Sequence, residues 1–157
     1  MRAPCIEIYR KPSVATMTRV LATGTFDILH PGHILYLTKA KELGDELFVI
    51  VSRDTMVQHK SKPVIPERQR LQVVRALRVV DNAELGSEHD IFEPLITMKP
   101  DIVALGFDQY FDEKKLQEDL EQRHIPSKVI RLPFQDTGEL SGTESIIREI
   151  IKRRVKC

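Results

Sequence analysis

The stretch Arg19-Val20-Leu21-Ala22-Thr23-Gly24-Thr25-Phe26-Asp27-Ile28-Leu29-His30-Pro31-Gly32-His33-Ile34-Leu35-Tyr36-Leu37 decides how this chain is read. It opens with a short apolar run, Val20-Leu21-Ala22, of the kind that forms a buried parallel strand. Gly24 releases the backbone for a tight turn, and Pro31 has the fixed φ that suits the first turn of a helix. From Ile34 to Leu43 apolar residues recur at helical spacing, so the unit reads strand, loop, helix. His30 and His33 fall where the loop meets the helix, with Gly32 between them. A helix start offers unpaired N–H donors and a partial positive charge, which together attract phosphate. The two imidazoles add donors aimed at the same anion, and Gly32 lets it approach the backbone.

Composition bounds the rest. At 157 residues the chain is one domain of ordinary size. Its 41% hydrophobic and 30% charged residues suit a soluble globular protein. A formal net charge of +1 offers no electrostatic case for binding nucleic acid or a membrane surface. The basic cluster Lys152-Arg153-Arg154-Val155-Lys156 ends a predicted helix, where it complements the dipole. Cys5 and Cys157 match no zinc or redox spacing, so a reducing, cytoplasmic setting is expected. No apolar run approaches the ~18 residues that span a bilayer. Residues 1–17 lack the apolar core of a secretory signal and read as an extension ahead of a domain covering 18–157.

Strands and helices then alternate. Gly44 suits a left-handed position closing the first helix. Glu46 to Ser52 reads as a second strand, and residues 54–59 as a short helix, followed by the basic turn Lys60-Ser61-Lys62-Pro63. Pro66 opens a helix from Glu67 to Leu77. Val79-Val80 and Ala83-Glu84-Leu85 suggest a third strand, Ile91 to Met98 a helix, and Asp101 to Leu105 a fourth strand ending at Gly106. A helix to about Arg123 and the strand Lys128 to Leu132 follow. Ser141-Gly142-Thr143-Glu144 has capping-box spacing and starts the last helix. This order calls for an α/β, doubly wound parallel sheet of about five strands with helices on both faces. Ligands in such folds bind beyond the carboxyl ends of the strands. The histidine loop, Gly106-Phe107-Asp108-Gln109 and the 134–143 segment should therefore meet in one cleft.

Gly24-Thr25-Phe26-Asp27 followed by His30-Pro31-Gly32-His33 resembles the signature of the cytidylyltransferase-like nucleotidyltransferases, a Rossmann-like family with an H-x-G-H motif. The resemblance continues through Gly44-Asp45-Glu46, Pro66-Glu67-x-x-Arg70, Lys99-Pro100-Asp101 and Gly106-x-Asp108-Gln109, and covers roughly residues 18–151. Gly106 to Gln109 with Phe111-Asp112-Glu113 is most similar to the archaeal-type FAD synthases. The resemblance implies that AMP passes from ATP to FMN, giving FAD and pyrophosphate. An acceptor phosphate is already an anion, so such a site needs no general base. It must align two polyanions and stabilise the charge of the transition state.

Carried over residue by residue, the resemblance implies catalytic roles for His30 and His33. It implies nucleotide contacts from Thr25, Phe26, Pro31, Gly32, Asp108, Arg70 and Thr143. Lys60 or Lys62 would close over the leaving phosphates, or simply be solvated. Spacing alone lets Arg70 pair with Glu67 on the surface instead. Ser141 reads first as a helix cap, and Phe134 either stacks on a ring or covers the core. No protein metal site is expected, because the histidines lack further ligands; Mg²⁺ is expected on the triphosphate. The family also implies a possible homodimer. The rival substrate pair is CTP with glycerol 3-phosphate or a related alcohol or sugar phosphate. The arginine-bearing segment of such enzymes is missing before the last helix, where this chain has Gln135-Asp136-Thr137-Gly138. A nucleotide-sensing module without turnover is a further alternative.

Overall fold

Each strand of a two-faced parallel sheet must bury alternate side chains on opposite sides. The computed structural model describes residues 16–58, 61–133 and 136–155. The strands are β1 (Arg19–Gly24), β2 (Glu46–Val51), β3 (Asn82–Leu85), β4 (Ile102–Leu105) and β5 (Lys128–Arg131). The helices are α1 (Pro31–Lys41), α2 (Glu67–Arg75), α3 (Glu93–Met98), α4 (Glu113–Gln122) and α5 (Thr143–Arg154). All strand pairings are parallel, in the order β3-β2-β1-β4-β5. Val20 and Ala22 join a core with Leu37 and Ala40 of α1 and Val74 of α2. Leu21 between them faces the other core, with Leu95 and Met98 of α3 and Leu116 and Leu120 of α4. The doubly wound α/β architecture is therefore present as expected.

Several local expectations give way. Gly44 is not left-handed. It is required by close approach, because a Cβ there would lie 2.7 Å from both the Thr18 carbonyl oxygen and Val20 Cγ2. That carbonyl accepts from Asp45 N (2.8 Å) and Glu46 N (3.2 Å) and so sets where β2 begins beside β1. Residues 54–56 make a single turn rather than a helix, with Met56 N donating to Arg53 O. Val79 and Val80 precede β3 and only pack against the core. Ser141 does not cap the last helix. Gly142 is the N-cap of α5, and the Ser145 hydroxyl accepts from Gly142 N (3.3 Å) and donates to Gly142 O (2.7 Å).

Cys5, Lys60, Phe134, Cys157 and residues 1–15 of the expected extension lie outside the described residues. Among the described residues no helix is long and apolar enough to cross a membrane.

Replacing Gly44 by Ala should destabilise the protein by about 1–3 kcal/mol through overpacking. Urea unfolding of the variant measures this; a loss under about 0.5 kcal/mol would mean the β1–β2 start is not tightly packed.

Candidate active site

β1 is paired with β2 on one side and β4 on the other, so the chain leaves its carboxyl end where the strand order reverses. Open parallel sheets form a ligand crevice at that point. Here the crevice is a cleft of about 690 Å³ walled by the β1 exit loop, the start of α1, the β4 exit loop and the start of α5. Two side chains fix its floor. The Tyr36 hydroxyl donates to Ala104 O (2.9 Å) and accepts from Thr23 N (3.2 Å). Burial holds this phenol well above its usual pKa, so it remains a donor. Gln109 donates through Nε2 to Thr23 O and accepts from Gly106 N at 3.1 Å. Both therefore tie β1 to β4 just beneath the opening.

The histidines occupy the centre. His30 is the N-cap of α1, with extended backbone at φ −145°, and its Nδ1 accepts from Gly32 N at 3.1 Å. The ring proton is thus on Nε2, and neutral His30 presents an N–H rather than a lone pair outward. Burial lowers its pKa from 6.5, while the Asp108 carboxylate pulls in the opposite direction. The His33 ring stacks on His30 with centroids 3.8 Å apart and meets the edge of Phe26 at 5.3 Å. Pro31 takes the first helical position and is exposed, and does not line the cleft. Its contribution is to start α1 so that both imidazoles face the opening.

Phe26 has a φ of 52°, left-handed backbone that a bulky side chain rarely adopts. Such a residue costs on the order of 1–3 kcal/mol unless its surroundings hold it. Its ring folds back over Gly24, where a Cβ would lie 2.7 Å from the ring, and stacks on Tyr36 at 6.4 Å. Gly24 is therefore needed for this close approach, not for a left-handed turn of its own. A Cβ on Gly32 would lie 2.9 Å from the Ser141 carbonyl oxygen, which brings the segment before α5 against the start of α1.

Thr25, Phe26, Gly32, His30, His33, Asp108 and Thr143 all line this cleft. Arg70 is absent from that lining, and it does not pair with Glu67 on the surface. It is 1% exposed and pairs with Asp54, while Glu67 pairs with Arg53. Its guanidinium also donates to Ile65 O (2.8 Å), Ser52 O (2.9 Å) and Thr25 O. Arg70 thus gathers the exits of β1 and β2 beneath the site. Lys62 does line the cleft, with Nζ on Asp54 O (2.9 Å) and Val57 O (3.2 Å). The Asp27 carboxylate accepts from Val64 N and Ile65 N, holding that loop at the rim.

Sequence reasoning missed Tyr36 and Gln109 as braces, and Lys39 and Arg148 as cleft-wall cations. Tyr36 and Lys39 sit inside a helical pattern that reads as core and surface. Arg148 has the spacing of a solvated partner for Glu144, which it meets at 3.5 Å.

Residues 21–150 match the model of the cytidylyltransferase-like family. The chain is 59% identical to the FAD synthase of Methanosarcina mazei over 137 residues, 87% of this chain and 91% of that protein. It is 56% identical to the FAD synthase of Archaeoglobus profundus over 86% and 87% of the two chains. Its structure superposes on a lipopolysaccharide core biosynthesis protein from Thermoplasma volcanium with a TM-score of 0.74 and 48% identity. That match covers 77% of this chain and all of the other. A pantoate-beta-alanine ligase from Francisella tularensis, solved with beta-gamma ATP and beta-alanine, shares the fold at 19% identity. Its TM-score is 0.59 over 85% of this chain and 65% of that one.

The lowered His30 pKa ties the protein's stability to pH. The folded protein binds this proton less tightly than the unfolded chain, so the stability linked to His30 is full above pH 6.5. It is lost as pH falls through the lowered folded value. NMR titration should find His30 ionising below 6.5, and a His30→Asn variant should lose stability less steeply on acidification. A value at or above 6.5 would contradict the part-buried Nδ1 acceptor.

Proposed function

Because the chain belongs to the cytidylyltransferase-like family, we propose that it is an FMN adenylyltransferase, joining the AMP of ATP to FMN to give FAD and pyrophosphate. The observation that carries this reading is the stacked His30–His33 pair at the start of α1, inside a cleft that Asp108 and Thr143 also wall. High identity to FAD synthases over most of both chains supports FMN as the acceptor.

In this reading ATP arrives as its Mg²⁺ complex, with the ion carried by phosphate oxygens and water, and it adds charge neutralisation on the triphosphate. Among the described residues no group of three or more His, Cys, Asp or Glu is gathered to hold a metal. An oxygen of the FMN phosphate attacks the α-phosphorus, the bond to the β-phosphate oxygen breaks, and pyrophosphate leaves with the electron pair. His30 Nε2–H and the His33 ring stabilise the oxygens that gain charge, and the start of α1 adds its partial positive charge. Thr25 and Phe26 bind the α-phosphate side, Asp108 the ribose or base, and Thr143 at the start of α5 the polyphosphate. Lys62 exchanges its backbone carbonyls for leaving phosphate oxygens. The proposal extends to a nucleotidyltransferase domain over 18–157, a cytoplasmic setting and a homodimer; the low net charge and paucity of cysteine support the setting.

CTP with glycerol 3-phosphate is the less favoured pair, since the 135–143 segment supplies no arginine to the cleft.

Pyrophosphate release should require ATP and FMN together, and FAD should be the product. Release with CTP and glycerol 3-phosphate would overturn the substrate assignment. Separate His30→Ala and His33→Ala variants should remain folded and lose turnover on the order of 10²–10³-fold. Unchanged turnover in either would remove that histidine from the mechanism.

A further inference from the structure

We propose that Arg70 is a positioning residue of this site: it locks the Thr25–Phe26 peptide with its carbonyl inward, so that the Phe26 N–H faces the α-phosphate. This rests on the nucleotidyl-transfer reading above. Arg70 is buried and absent from the cleft wall, whereas Thr25 and Phe26 both line it. The guanidinium donates through Nη1 to the Thr25 carbonyl. There are no cis peptide bonds among the described residues, and in a trans peptide the C=O and N–H point in opposite directions. A carbonyl drawn down to Arg70 therefore sends the following N–H up toward the cleft. Among the described residues no protein acceptor meets that N–H.

The guanidinium cannot follow a flipping carbonyl. Nε is held by Ile65 O and Nη2 by Ser52 O and Asp54 Oδ1. The flipped peptide would leave a buried cation short of an acceptor and aim a carbonyl oxygen at a phosphate. Both terms select the same orientation, and they account for Phe26 persisting at φ 52°. Arg70 thereby acts on the substrate through a backbone donor and never touches it, in a site whose donors must be set before charge develops.

The test uses the full chain with ¹⁵N-phenylalanine and the unreactive α,β-methylene analogue of ATP as probe. In the wild-type protein the Phe26 amide resonance should shift on saturation with the analogue. In a folded Arg70→Lys variant that shift should shrink. Its kcat for FAD formation should fall on the order of 10–10²-fold, with KM for FMN changed less than about threefold. A purely structural arginine would alter melting without separating kcat from KM. An Arg70→Lys protein with the wild-type amide response and turnover within about twofold would overturn the proposal. If that variant does not fold, the wild-type protein decides alone, because a Phe26 amide indifferent to the analogue also overturns it. Failure to form FAD in the wild-type protein would instead strike the acceptor assignment, and the amide titration would still test Arg70.

Discussion

A parallel sheet delivers the carboxyl end of every strand to one edge, and this sheet reverses its order beside β1. That constraint generates the cleft. β2 and β3 continue to one side of β1, and β4 and β5 to the other, so the loops after β1 and β4 separate and leave an opening between them. An opening in a sheet exposes backbone groups that must find partners. Tyr36 and Gln109 satisfy the Thr23 and Ala104 groups directly beneath it. Arg131 performs the same task on the outer side, donating to Gly106 O (2.8 Å), Gln109 O (3.2 Å) and Phe111 O. The walls are thus held by side chains from α1, β4's exit and β5, and the loops between them are not left to set their own shape.

Chemistry is then largely a matter of fixed donors. Two polyanions brought together repel each other, and a site for their reaction must replace the water that solvated them. In our reading the replacements are the start of α1, the His30 N–H fixed by the Gly32 contact, and the Phe26 amide oriented by Arg70. Arg70 is a buried cation with three carbonyl acceptors and one carboxylate, and such a charge is tolerated only when its partners are complete. Its burial and the strained Phe26 backbone are two sides of one arrangement. Each holds the other in place.

Much of this was legible in the residues. The continuous apolar run Val20-Leu21-Ala22 and the β-branched run of β2 announce strands buried on both faces, and Pro31 marks the start of α1 to the residue. The His30–His33 spacing places both rings on one side of a helix start. What stayed hidden was non-local. Arg70 lies 45 positions from Thr25 and 18 from Ser52, and nothing in a basic, polar helix distinguishes a buried arginine from a solvated one. Gly24 and Gly44 read as turn glycines because their real constraint, a neighbouring ring and a neighbouring strand, comes from packing. Ser141 had the spacing of a cap, but Ser145 and Gly142 satisfy that helix start between them.

In our reading the histidines stabilise a direct displacement and never carry the adenylyl group. For His30 the geometry supports this, since its Nδ1 lone pair accepts from Gly32 N and the ring offers a phosphoryl oxygen an N–H but offers phosphorus no lone pair. The stereochemical course at the α-phosphorus tests this most directly, using ATP made chiral there by a single sulfur substitution. One in-line attack by the FMN phosphate predicts inversion of configuration in the FAD product. Retention would require two displacements through a covalent adenylyl-enzyme, and would rule out direct transfer.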